Sequence, residues 1–110
     1  MSTPIALMIL FTAAGLEAGG DALVRKGLGA QAALRIAFFL AGAAVLFAYG
    51  WLVNSPKWDF GRLLGIYVVF FFVVAQLINR IFFGVTPGAG VLAGGACIVL
   101  GGAIIAFTSH

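Results

Sequence analysis

The chain has 110 residues, 64% of them hydrophobic and only 8% charged, with a mean hydropathy of +1.21. So few polar side chains cannot coat a water-facing surface, which excludes a soluble globular domain and points to an integral membrane protein. The formal charge of +3 comes from basic residues scattered among helix ends, not gathered in a stripe, so lipid headgroups are expected as partners and nucleic acid is not.

The apolar residues fall into blocks of transmembrane length, predicting helices over about 4–24, 34–53, 63–83 and 88–107. The fold expected is all-α, a single four-helix transmembrane domain over residues 1–110. Its links are short. Residues 25–33 are basic and glycine-bearing, 54–62 (N-S-P-K-W-D-F-G-R) have turn chemistry, and 84–87 (G-V-T-P) reverse the chain tightly. Short links make neighbouring helices antiparallel. Nothing basic precedes the first block, which is longer than a signal-peptide core, so the first helix is expected to stay in the mature protein.

The first helix carries Glu17. A carboxylate near mid-membrane costs about 2.5–3.5 kcal/mol on a translocon scale, so it must face protein or water. At helical spacing its face also holds Leu10, Ala13, Ala14, Gly20, Asp21 and Val24, several of them small enough to leave room beside the acid. Such an acid reads as a site that holds a proton or a cation by turns. The plainer reading is a structural carboxyl bonded to a neighbouring helix. Asp21 is either a second site carboxylate or the partner of Arg25 in an i,i+4 ion pair, with Lys26 close by.

The second helix is apolar on every face, and Gly42 and Gly50 permit close packing; Tyr49, Trp51 and the linker Trp58 read as interface anchors. The third carries Tyr67 about one turn in, then Phe70, Phe71 and Phe72, and ends in Gln76, Asn79 and Arg80, a polar patch expected opposite Tyr67. From the residues alone Tyr67 is a packing or interfacial aromatic. In the fourth helix Gly94 with Gly101, and Gly95 with Gly102, recur at a spacing that returns to nearly the same face. That stripe lets two helices approach closely, within the chain or between copies.

Arg25, Lys26, Arg35 and Arg80 gather at one membrane face and Lys57 and Arg62 at the other. This bias favours both termini outside and is small enough to let the chain insert both ways. Cys97 is alone in an apolar block and His110 is terminal, so no disulfide, metal set or nucleophile with its base is visible, and neither an enzyme nor a cofactor is expected.

The order Leu16-Glu17, Gly20, Trp51-Leu52, Gly61-Arg62, Tyr67 and Arg80, with the glycine pairs of the fourth helix, resembles the small multidrug resistance family, and within it the YnfA-type branch. The resemblance covers nearly the whole chain. It implies an antiparallel homodimer, an eight-helix bundle in the inner membrane, that exports small cationic compounds in exchange for protons. It further implies that both copies of Glu17 share a chamber walled by Tyr67, with Gly95 and Gly102, beside Gly94 and Gly101, on the dimer seam. Two features depart from the family pattern. Val68, Val69, Phe70 and Phe71 stand where better-known members have small residues and glycines, and Asp21 stands where they carry an uncharged residue. The bulky run leaves room for another class, a non-transporting membrane partner or assembly subunit. Half of a lipid-linked sugar carrier is a third.

Overall fold

The computed structural model describes residues 2–108 and contains four helices: α1 (Thr3–Leu28), α2 (Ala32–Val53), α3 (Phe60–Phe83) and α4 (Ala89–Phe107). Each is long and apolar enough to cross a membrane. The chain is an all-α, multi-pass membrane protein. His110, given no role above, lies outside the described residues.

The helices form a row more than a closed bundle. α1 lies between α2 and α3, and α4 packs on α3 alone, in a slab of 50 × 34 × 19 Å. Because each link reverses the chain, α1 and α3 run in the same direction.

α1 runs beyond its expected end at residue 24, through the basic segment to Leu28. Arg25 and Lys26 thereby occupy its last turn, where positive charge complements the helix dipole. Arg35 of α2 completes the end, its Nε donating to the Gly27 carbonyl at 3.2 Å and its Nη2 to that of Leu28 at 2.9 Å. The link shrinks to residues 29–31, and α2 starts at Ala32 with φ of 52°, a left-handed conformation that costs about 1 kcal/mol or more outside glycine. α3 starts at Phe60, ahead of its expected residue 63, because Asp59 caps it: Oδ2 accepts from the Arg62 N–H at 3.0 Å. It closes at Gly84, whose φ of 67° lets the Val85 N–H reach back to the Asn79 carbonyl at 3.2 Å.

Glycine sets how closely the helices approach. On α1, Gly20 lies under Leu46 and Gly27 under Phe39, while Gly42 of α2 faces Val24. A Cβ at Gly20 would meet Leu46 Cγ at 2.7 Å, so the contact requires its absence. On α4, Gly95 receives the ring of Phe72 and Gly102 receives Val69; in return Gly65 of α3 receives Ile105. The bulky run of α3 is thus matched by the glycines of α4. Gly95 and Gly102 therefore face α3 within the protomer, whereas Gly94 and Gly101 border open space. The core is built from Leu10, Ala13 and Ala14 of α1, Val53 of α2, and Leu63, Ile66, Tyr67 and Val74 of α3.

Candidate functional site

Glu17 sits about 21 Å along α1 from Thr3 at 1.5 Å per residue, slightly past the middle of the helix. Fully buried Leu10, Ala13 and Ala14 precede it, and Ala18 beside it is 5% exposed. Glu17 itself is half-buried. A long side chain among alanines and a glycine has room to extend across the helix interface.

It extends to α3. The Tyr67 hydroxyl donates to Glu17 Oε1 at 2.7 Å, and Tyr67 is only 4% exposed. The distance is that of a well-formed O–H···O bond. Tyr67 is held by two ring contacts, to Tyr49 at 5.7 Å and to Phe71 at 6.3 Å between centroids. Ile66 and Leu63, both buried, fix the turn before it.

Tyr49 belongs to this site, which corrects its reading as an interface anchor. It faces both the Tyr67 ring and the Glu17 carboxyl. Only Tyr67 donates to that carboxyl within 3.5 Å among the described residues. A phenol in an otherwise apolar helix needs a polar partner, and that is the signal by which it was findable.

Asp21 lies one turn further along α1 and opens into a cavity of about 410 Å³ between α1 and α3. Arg25, Phe71, Ala75, Asn79 and Phe83 also line it. The expected ion pair with Arg25 does not form. Arg25 and Lys26 turn instead to the ring of Phe83, at 5.8 and 5.2 Å from its centroid, leaving the Asp21 carboxylate free among the described residues. The polar patch at the end of α3 also divides: Asn79 lines the cavity, whereas Arg80 donates to Thr86 Oγ1 at 3.3 Å.

A second cavity, about 520 Å³, runs between α2 and α3 across α1 and is lined by Gly19, Leu23, Phe38, Val45 and Phe82, with Lys26 its one charged residue. Ala22 and Ile78 border both cavities and separate them.

The structure thus brings Glu17, Tyr67 and Tyr49 together and sets Asp21 in the adjoining groove. The glycines of α4 lie on the far side of α3 and contribute nothing to this site. A mid-membrane carboxylate with one phenolic donor and one further free oxygen can hold a proton or a cation without dismantling the helix packing. No family model, curated protein or solved structure matches the chain.

Proposed function

We propose that the protein is a proton-coupled exporter of small cationic compounds, of the small multidrug resistance type, working as an antiparallel homodimer in the cell's inner membrane. The observation that carries this reading is the hydrogen bond from Tyr67 to Glu17, which links two helices through a carboxyl deep in the span. One oxygen is fixed by the phenol and the other is left for the exchanging species. A cation that approaches displaces the proton, and a returning proton releases the cation. Charge balance in a medium that solvates ions poorly makes the two mutually exclusive.

The unbroken α3 fits motion of a particular kind. With Val69 and Phe72 seated in the glycines of α4, α3 and α4 are proposed to tilt as a unit rather than α3 bending at a glycine. The facing copy would close over Glu17 and the adjoining cavity at Asp21.

The test is proton release from weakly buffered, detergent-solubilised protein on adding cationic amines, with Glu17→Gln alongside. Release by the wild type and none by the variant supports the exchange. No release across a broad panel of cations removes the exporter reading and favours a partner subunit. A second reading, half of a carrier for lipid-linked cargo, draws on the apolar cavity between α2 and α3, which has the lateral position that a long acyl chain needs.

A further inference from the structure

We propose that the cavity at Asp21 and Asn79 is a second subsite, which binds the far cationic group of an elongated amine whose near group is held by Glu17. The inference rests on the exporter reading for the role of Glu17 and extends it to the class of substrate, linear dications.

Three observations converge on this cavity. The first is the state of Asp21. It stands roughly 10 Å from the Leu28 end of α1 by helical rise, within the span, yet it is exposed toward the groove and has no ion pair among the described residues. A carboxylate in that position is tolerated only beside water, protein or a bound cation.

The second is the chemistry of the lining. Asn79 supplies a carboxamide oxygen across the groove from Asp21, and its side chain has no hydrogen-bond partner among the described residues. Phe71 lines this cavity and its ring packs on that of Tyr67, so one aromatic wall joins the phenol bonded to Glu17 to the cavity at Asp21. Ammonium groups bind well to carboxylate and amide oxygens beside aromatic rings. Arg25, the other charged residue at the mouth, is held against Phe83, away from a direct bond to Asp21.

The third is spacing. Residues four apart on a helix have Cβ atoms about 5–6 Å apart, and here both acids lie on one side of α1. Two ammonium groups separated by roughly 6 Å would meet both carboxylates at once. A monoamine can meet only one.

Calorimetric binding of 1,4-diaminobutane and of butylamine to the full-length protein in detergent tests this. The wild type should bind the diamine about tenfold or more tighter than the monoamine, well beyond the statistical factor of about two for two equivalent ends. Asp21→Asn should bring that ratio down to about twofold, and Asn79→Ala should lower it partway. Equal affinities in the wild type, or a ratio that survives Asp21→Asn, overturns the subsite; so does the absence of diamine binding. Proton release by butylamine is read in the same samples. Its failure together with that of the wider cation panel overturns the exporter reading, whereas the ratio and its dependence on Asp21 are measured by heat alone and are read separately. Thermal melting of Asp21→Asn and Asn79→Ala confirms that each variant is folded before its ratio is read.

Discussion

Tyr67 donates its phenolic hydrogen to Oε1 of Glu17 across 2.7 Å, joining α3 to α1 close to mid-membrane. Neutral hydrogen bonds between membrane helices average only about 0.6 kcal/mol, but a carboxylate acceptor shielded from water raises this to roughly 1–2 kcal/mol. A double-mutant cycle with Tyr67→Phe and Glu17→Ala, read by denaturant unfolding in detergent, should return a coupling energy of that size. A value indistinguishable from zero would mean that the two side chains are neighbours without being bonded.

Shortening the acid separates position from charge. Glu17→Asp keeps a carboxylate but withdraws it by one carbon–carbon bond, about 1.5 Å, which breaks a 2.7 Å contact to a phenol fixed by Tyr49 and Phe71. Proton release on cation binding should persist, with weaker cation affinity. In that background Tyr67→Phe should have no further effect, whereas in the wild type it should change the affinity severalfold.

These pairings show what the sequence made legible. Four apolar blocks and short reversing links contain the membrane fold, because bilayer thickness and backbone satisfaction leave a chain of this composition few other solutions. Glu17 stands out for a similar reason, since an acid in such a helix is costly. Tyr67 is different: from its own residues it reads equally as packing, and only the position of α3 beside α1 makes it a donor. Tyr49, an aromatic near a helix end, has the sequence signature of an interface anchor, and only the placement of α3 turns it to the Tyr67 ring. Helix ends differ from the sequence expectation where capping crosses elements, as where Arg35 of α2 closes α1 at the Gly27 and Leu28 carbonyls. The side to which a glycine pair turns is also set by its neighbour: Val69 and Phe72 draw Gly102 and Gly95 inward.

That packing separates two glycine pairs by their effects. Gly95→Val and Gly102→Val place methyl groups where Phe72 and Val69 already lie, an overpacking worth about 1–3 kcal/mol that should lower the unfolding midpoint of the protomer. Gly94→Val and Gly101→Val meet nothing within 4 Å and should leave that midpoint unchanged. If copies associate through the open face of α4, the second pair should instead weaken the dimer by size-exclusion light scattering.

Cys97 offers a probe of such an association. It is exposed on α4 and lies between Gly94 and Gly101, one turn from each, on the same open stripe. A twofold axis crossing the stripe brings Cys97 opposite its own copy, and a disulfide needs Cα atoms within about 7 Å. Mild oxidation in native membranes should therefore give a dimer that is sensitive to reductant. Its loss in Gly94→Val or Gly101→Val would tie the cross-link to the seam, and a wild type that stays uncrosslinked would place the contact elsewhere.

Arg35 performs two tasks that one pair of substitutions can separate. Its guanidinium closes the end of α1 through two carbonyls, and its charge belongs with Arg25, Lys26 and Arg80 to the more basic face, opposed by Lys57 and Arg62. Arg35→Lys keeps the charge but not the two-pronged geometry, so it should cost about 1–2 kcal/mol of stability with orientation unchanged. Arg35→Gln loses both, and with a bias this small the removal of one charge should shift the population of inserted orientations. A reporter fused to the C-terminus, active on only one side of the membrane, reads that shift. Equal orientation in the wild type and Arg35→Gln would show that orientation is set by something other than the basic residues at the helix ends.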